Sequence, residues 1–146
     1  MTAIHKSALV PWSPAQMFAL VDDIESYPDF LPWCKSARVL SRTEDEVRAS
    51  IELSRGGVEK TFTTLNRNQP GKMIEMRLVE GPFRHLEGFW RFDALGDEGC
   101  KVMLDLEFEF ASRMLDLVVG PVFGQIANSL VDSFQQRAQQ VYGVTT

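Results

Sequence analysis

Few side chains in this sequence are suited to catalysis, and they are widely scattered. The chain has two histidines, His5 and His85, and two cysteines, Cys34 and Cys100. Neither cysteine has a histidine near it in sequence with which to form a nucleophilic pair. The glycine-rich, Cys-x-x-Cys and His-Glu-x-x-His motifs that hold nucleotides or metals do not occur. The sequence therefore predicts no catalytic residues, no metal and no required cofactor, and both cysteines are expected to be packing residues.

Three carboxylates, Asp105, Glu107 and Glu109, alternate with apolar residues and so share one face of a predicted strand. Metal binding or acid–base catalysis would use such groups, but the solvated face of a sheet explains them better. His85 is out of phase with the apolar residues that follow it. It is predicted to face water, with the rim of a cavity as the alternative.

Length, composition and charge limit the classes of protein that fit. The chain has 146 residues, 45% of them hydrophobic, which predicts a single domain over residues 1–146. Fifteen Lys and Arg against 20 Asp and Glu give a net charge of −5, which argues against a surface built as a whole to bind nucleic acid. A local basic patch stays possible, and no DNA partner is expected. With two cysteines and no apolar secretory signal, a cytoplasmic location is expected. Polar residues interrupt the longest apolar tract, so no transmembrane helix is predicted, while contact with a membrane surface stays open.

A short helix is predicted from Pro14 to about Asp22-Asp23. Ser13 can cap it, Pro14 takes its first position, and Gln16 completes a capping box. The two aspartates stand where the helix dipole disfavours negative charge, which predicts a compensating partner such as a nearby arginine or a backbone turn. The stretch from Ile24 to Cys34, which contains two prolines, predicts a compact turn or short helix.

From about residue 37 to residue 110 the apolar residues recur with a period of two, which predicts strands with one wet face. We expect about six strands here and one more from Thr2 to Leu9. The glycine-containing links between them are too short for crossover helices, so the sheet is predicted to be antiparallel.

The last segment returns to helical spacing. Pro121 fits the start of a helix better than its interior, so we predict one helix over about 121–142, preceded by a separate turn or two at 113–119. The fold class is therefore α+β, with a curved antiparallel sheet of six or seven strands wrapped around a long C-terminal helix.

A single helix covers only ~10–12 Å of a sheet that is several strand spacings wide, so a dry cavity is expected between the two. Each apolar residue facing this space is, taken alone, equally explained as ordinary core. The candidate ligand-binding residues are Trp33, Phe62, Met76, Leu78, Phe83, Leu86, Trp90, Leu104, Leu106, Phe123, Ile126, Leu130 and Phe134.

Basic residues on the predicted wet face offer a second kind of site. Antiparallel pairing can bring several of them into one patch able to bind RNA phosphates. Acidic residues on the same face allow an alternative, in which basic and acidic side chains alternate and no basic patch forms. The candidate RNA-binding residues are Lys35, Arg38, Arg48, Arg77 and Arg91.

The stretches FALVDDIESYPDFLPWC (18–34) and GPFRHLEGFWRF (81–92), with the amphipathic last helix, resemble the coenzyme Q-binding branch of the START-like, polyketide-cyclase-like (SRPBCC) superfamily. The resemblance extends over essentially the whole chain. It implies a helix-grip fold whose cavity takes a ubiquinone-like prenylated quinone, in a non-enzymatic role that supports respiration. In its toxin branch, the resemblance implies binding to the large ribosomal subunit, which blocks association with the small one.

Two functions therefore stay open, a carrier of a lipophilic quinone and a ribosome-binding toxin. A cyclase-type enzyme is a weaker third reading, because it needs a cluster of titratable residues on the inner face. The alternation places no such pair there, and fold analogy alone does not supply one. Identity and tail length of the ligand are not readable from the chain.

Overall fold

The computed structural model describes residues 1–97 and 99–143, which form one seven-stranded sheet, two α-helices and a 3₁₀ helix. The predicted fold class and the order of its elements are confirmed. In chain order the elements are β1 (Thr2–Val10), α1 (Pro14–Asp22), the 3₁₀ helix (Ile24–Asp29), β2 (Cys34–Arg42), β3 (Glu46–Arg55), β4 (Val58–Gln69), β5 (Met73–Glu80), β6 (Phe83–Leu95), β7 (Gly99–Phe110) and α2 (Arg113–Tyr142).

All neighbouring strands of the sheet are antiparallel, in the order β1-β7-β6-β5-β4-β3-β2. Strands β2 to β7 pair with their neighbours in sequence through short turns, such as the β3–β4 turn at Gly56 and Gly57, whose φ angles of 60° and 81° suit glycine. β1 and β2 form the two edges. The helices between them therefore cross from one edge of the sheet to the other.

Strand β7 shows how the alternation sets the two faces. Val102, Leu104 and Leu106 are buried, whereas Glu107 between two buried residues is exposed. The inner face of the sheet packs on α2 and α1, and the outer face carries most of the charged side chains. The predicted wet face of the carboxylates is confirmed.

Helix α1 begins with the predicted capping box. The backbone N–H of Gln16 donates to Ser13 Oγ at 3.1 Å, and the backbone N–H of Ser13 donates to Gln16 Oε1 at 2.9 Å. At the other end, Asp22 accepts hydrogen bonds from Arg42 Nη1 at 3.0 and 3.2 Å and from Asn68 Nδ2 at 2.9 Å. The predicted arginine partner of this carboxylate is confirmed, and it ties the end of α1 to β2 and β4.

Helix α2 is continuous through Pro121, so the predicted break before residue 121 is wrong. The helix begins at Ser112, whose Oγ accepts from the backbone N–H of Leu115 at 3.1 Å. Proline normally crowds the Cβ of the preceding residue, but here that residue is Gly120, which has none. Buried residues on both sides of the proline pack on the sheet, and this packing outweighs one lost backbone hydrogen bond.

By length and apolar composition, α2 would be able to cross a membrane, but 28% of its most apolar stretch is buried within this fold. A core helix passes the same test. Its buried residues are Val119, Phe123, Ile126, Ala127, Val131, Phe134 and Ala138. In its first two turns Met114, Leu117 and Val118 are exposed instead. The helix thus combines a core face with an apolar end that reaches water.

Candidate functional site

A cavity of about 90 Å³ lies between the inner face of the sheet and α2. Its walls come from β3, β4, β5, β6, β7, the 3₁₀ helix and the middle of α2. Eleven of the thirteen predicted ligand-binding residues line it: Trp33, Phe62, Met76, Leu86, Trp90, Leu104, Leu106, Phe123, Ile126, Leu130 and Phe134. In the structure these eleven residues face one space, and their contact with a ligand stays a prediction.

Leu78 and Phe83 do not line the cavity, which corrects the predicted set. Strands β5 and β6 pair only as far as Arg77 and Glu87, so Leu78 lies past the point where the two strands separate. The ring of Phe83 is used by its aromatic neighbours, because it stacks on Phe110 with 4.8 Å between the ring centroids. Phe83 is part of the hydrophobic core, and the partly buried Leu78 packs against this core.

Two aromatic groups bracket the cavity along α2. Near the start of the helix, the ring centroid of Phe123 lies 4.7 Å from that of Phe108. Three turns later Phe134 makes edge-to-face contacts with Tyr27 and Trp90, at 5.4 and 5.3 Å between ring centroids. Such contacts add to the area that these rings bury and hold the walls in place.

The lining also contains buried polar residues that the sequence reading missed. Thr64 and Asn66 lie on β4 and are 7% and 8% exposed, with Thr64 Oγ1 donating to Asn66 Oδ1 at 3.0 Å. Thr64 and Asn66 lie two and four residues after Phe62 on β4, so their side chains are on the same face as Phe62, which is predicted to face the cavity. Continuing the alternation from Phe62 along β4 would have found them. The other lining residues not predicted are Ile24, Tyr27, Ala49, Ile51 and Ala127.

The titratable groups near the cavity are not activated for catalysis. The Tyr27 hydroxyl donates to the carbonyl of Val21, and burial, with smaller contributions from nearby negative groups, raises its pKa above the ordinary value. Burial raises the pKa of the Cys34 and Cys100 thiols to about 11, with Glu52 and Asp93 adding to it respectively. Both thiols are therefore protonated at neutral pH, as expected of packing residues.

Room in the cavity is the main constraint on what it can hold. Sites for drug-sized ligands typically enclose ~300–1,000 Å³, against about 90 Å³ here. A whole prenylated quinone therefore needs the walls to open. Met76, which lines the cavity and has a flexible side chain, is suited to such adjustment.

On the outer face, three of the five predicted RNA-binding residues pair with carboxylates. Lys35 Nζ lies 3.5 and 3.7 Å from two glutamates, Arg77 Nε lies 3.4 Å from Glu75, and Arg91 Nη2 lies 3.4 Å from Asp93. For these three residues the structure shows the alternative arrangement, in which basic and acidic side chains alternate on the outer face and pair with one another. Their positive charge is already partly compensated.

Arg38 and Arg48 differ from these three. Both are exposed, and within residues 1–97 and 99–143 neither forms an ion pair. Arg38 is opposite Ser50 and Arg48 is two residues from Ser50 on β3, so the arginines share one face of neighbouring strands. We call Arg38 and Arg48 the outer arginine pair.

His85 lies on the outer face, as predicted, and does not reach the cavity. Its Nε2 is 3.6 Å from Glu87 Oε1 and 3.7 Å from Glu107 Oε2, and one ligand atom from each of the three residues lies within 4.8 Å of the others. Both carboxylates are exposed, and clusters of this kind are common on the wet face of a sheet. A further ion pair joins His5 on β1 to Asp105 on β7.

The chain belongs to the family described as polyketide cyclase / dehydrase and lipid transport, which matches residues 10–135. Its fold is similar to that of a START superfamily protein from Mycobacterium smegmatis, with a TM-score of 0.80, 21% identity, and coverage of 95% of this chain and 98% of that one. An 18 kDa protein from Caulobacter crescentus has a TM-score of 0.77 and 31% identity over 99% of this chain and all of the other. The resemblance to the polyketide-cyclase-like family is confirmed, and the similarity to the START protein is one of fold.

Within this family, curated relatives carry a more specific name. A ribosome association toxin RatA from Pseudomonas aeruginosa is 46% identical over 142 residues, covering 97% of this chain and 99% of the relative. The protein of the same name from Escherichia coli K12 is 42% identical, covering 97% and 90%. A mitochondrial coenzyme Q-binding protein COQ10 homolog B from Xenopus laevis is 28% identical, covering 94% of this chain and 58% of the relative.

Proposed function

We propose that this protein is a cytoplasmic ribosome-association factor that binds the large ribosomal subunit and blocks its association with the small one, without catalysing a reaction. The observation that carries the proposal is the similarity to the Pseudomonas aeruginosa and Escherichia coli proteins named as ribosome association toxins, which extends over nearly the whole length of each chain. A shared fold alone would not support it, since this fold serves many functions.

The outer arginine pair supports this function physically. The protein carries a net charge of −5, so binding to RNA phosphates requires a local concentration of positive charge. Arg38 and Arg48 are exposed on one face of β2 and β3 and have no carboxylate partner in the described part of the chain. Arginines in this state can meet phosphates without first breaking an ion pair.

Sedimentation of the purified protein with isolated ribosomal subunits tests the proposal. We expect the protein to migrate with the large subunit and not with the small one. Because phosphate contacts release counterions, the bound fraction should fall steeply as salt rises. Protein that stays at the top of the gradient with both subunits, even at low salt, would overturn the proposal.

We further propose that the cavity binds a neutral lipophilic molecule, with a ubiquinone-like prenylated quinone as the expected ligand and support of respiration as its role. A specific observation favours this second function, namely a void lined almost entirely by apolar and aromatic residues in a family that includes lipid transport. Burial of a tail contributes ~0.8 kcal/mol per methylene, so a few isoprene units suffice for micromolar affinity.

The exposed end of α2 supports delivery of such a ligand. Met114, Leu117 and Val118 present an apolar surface in the first two turns of this helix. Side chains of this kind can contact a membrane surface, where prenylated quinones reside. The expected contact is peripheral, because the rest of the helix packs on the sheet.

Extraction with organic solvent, or native mass spectrometry, of protein purified from its own cells tests the second function. We expect a co-purified prenylated quinone at a substantial fraction of the protein concentration. Protein that carries no lipid, and that takes up no short-chain quinone in vitro, would remove this function and leave the ribosomal one standing.

A further inference from the structure

One cavity-lining residue carries a buried hydrogen-bonding group that the described part of the protein does not satisfy. The indole Nε1 of Trp33 is buried and has no hydrogen-bond partner among the residues described. Trp33 is 5% exposed and lines the cavity from the segment just before β2. A buried N–H without an acceptor is unfavourable and uncommon in folded proteins.

A second group comes from β4. The Thr64 hydroxyl donates to the side-chain oxygen of Asn66, and this is the one side-chain hydrogen bond of Asn66 within the described ranges. The amide nitrogen of Asn66 therefore remains available as a donor at the cavity wall. Between Trp33 and this pair lies β3, where the small side chain of Ala49, opposite Thr64, keeps the floor of the cavity open.

Charge is missing from the lining as far as the structure describes it. The residues around the cavity include no lysine, arginine, histidine, aspartate or glutamate. An ionised head group placed there would have no counter-charge and would lose its hydration, which is strongly unfavourable. The site therefore disfavours fatty acid anions and phosphate-bearing lipids.

From these observations we propose that Trp33 and Asn66 form a head-group subsite whose N–H groups donate hydrogen bonds to the oxygens of a neutral carbonyl-bearing ring, with the Thr64 hydroxyl orienting the Asn66 amide, while the apolar remainder of the cavity receives its tail. This inference rests on the ligand-binding function proposed above and adds the residues that recognise the head group of the ligand. It selects a quinone over a hydrocarbon of similar size and over a lipid anion.

Three substitutions each remove one polar group from the cavity wall. Trp33→Phe removes the indole N–H, Thr64→Val removes the hydroxyl, and Asn66→Leu removes the amide. Leu53→Met is the matched control, because it is a volume-conserving apolar swap at a buried residue of β3 that does not line the cavity. Thermal unfolding without ligand checks that each variant is folded, and some loss of stability is expected for Trp33→Phe because the smaller ring leaves a void at a buried site.

Isothermal titration with three probes completes the test. The probes are a ubiquinone with two isoprene units, a prenyl hydrocarbon of equal length without oxygens, and a fatty acid anion. We expect the wild type to bind the quinone best and the anion least. Trp33→Phe and Asn66→Leu should each weaken quinone binding by about tenfold, as for the loss of one hydrogen bond, and leave hydrocarbon binding unchanged.

The outcomes separate the subsite from the carrier function. Equal affinity of the wild type for quinone and hydrocarbon, with no effect of Trp33→Phe or Asn66→Leu, would overturn the subsite and leave a lipid carrier. Preference for the fatty acid anion would also overturn it. Failure of the wild type to bind any probe would contradict the carrier function itself, and the subsite with it.

Discussion

The two faces of the sheet are built from the same strands but respond to different physical constraints. On the inner face, buried side chains contact one another across β3 to β7, α2 and the 3₁₀ helix, so each depends on its neighbours. On the outer face, charged residues meet in exposed ion pairs such as Arg77–Glu75 and Arg91–Asp93. Exposed pairs contribute little to stability, typically ~0–1 kcal/mol. The inner face therefore determines the fold, and the outer face is free to serve a partner.

The strongest test of this difference is a charge placed at the centre of the inner face. Phe134 is 1% exposed and packs against Tyr27, Phe30 and Trp90. Phe134→Asp removes this aromatic packing and buries a carboxylate, so we expect a loss of at least about 4 kcal/mol of unfolding free energy, or no folded protein. Gln136→Asp, on the exposed side of the same helix, is the control and should fold normally. Chemical denaturation measures both.

A smaller loss of unfolding free energy is expected where the end of α1 contacts β2 and β4. Asp22 accepts hydrogen bonds from Arg42 and Asn68, so Asp22→Ala leaves a largely buried amide and a guanidinium without their acceptor. We expect a loss of about 1–3 kcal/mol in the unfolding free energy. Asp23→Ala removes only the acceptor of the Ser26 hydroxyl and serves as the control. Equal effects of the two variants would contradict the role given to Asp22.

The buried thiols predict a pH dependence that belongs to the inner face. The pKa of Cys34 and of Cys100 is raised by burial from an ordinary 9.0 to about 11. Ionisation then favours the unfolded chain, so the stability contributed by these groups is complete below pH 9 and is lost as the pH rises towards 11. Denaturation curves at pH 8 and pH 10.5 measure the loss.

The control is a variant with both cysteines replaced by alanine, which should show a smaller decrease in stability over this pH range. A decrease as steep as in the wild type would mean that the thiols do not cause it. At pH 8 the wild-type thiols should also react with an alkylating reagent much more slowly than those of the unfolded chain.

The smallest effect on stability is expected for the outer arginine pair. Arg38→Glu and Arg48→Glu together should change the unfolding free energy by no more than about 0.5 kcal/mol per site. Binding to the large subunit should nevertheless weaken, and the dependence of affinity on salt should decrease by about one unit of slope for each phosphate that is no longer bound. Arg91→Glu, whose arginine is already paired with Asp93, is the control. A loss of folding as large as that of Phe134→Asp would contradict the assignment of faces.

Much of the fold follows from local patterns. The alternation in β7 predicts which residues are buried, and Ser13 with Gln16 predicts the start of α1, because these signals involve residues close in sequence. The same alternation predicts most of the cavity wall. Pro121 shows the limit, because its local preference for a helix start is overridden by packing between α2 and the sheet.

The remaining features depend on contacts between residues distant in sequence. Thr64 and Asn66 share the inner face of β4 with Phe62, so the alternation locates them once that face is known. Because Leu65 between them is apolar, the hydrophobicity of residues 64–66 alone points to the wrong face. The volume of the cavity depends on the conformation of many side chains together. Among the outer basic residues, the ion pairs of Lys35 depend on strand register, which brings Glu52 and Glu59 near it. Arg77 and Arg91 instead pair with carboxylates two residues away on their own strands.

The most direct test of the proposed ribosomal function is the rate at which isolated large and small subunits associate, followed by light scattering. After incubation of the large subunit with a saturating amount of this protein, we expect the amplitude of association to fall strongly. The variant carrying Arg38→Glu and Arg48→Glu, at the same concentration, should restore most of it. Unchanged association in the presence of saturating wild-type protein would contradict the account.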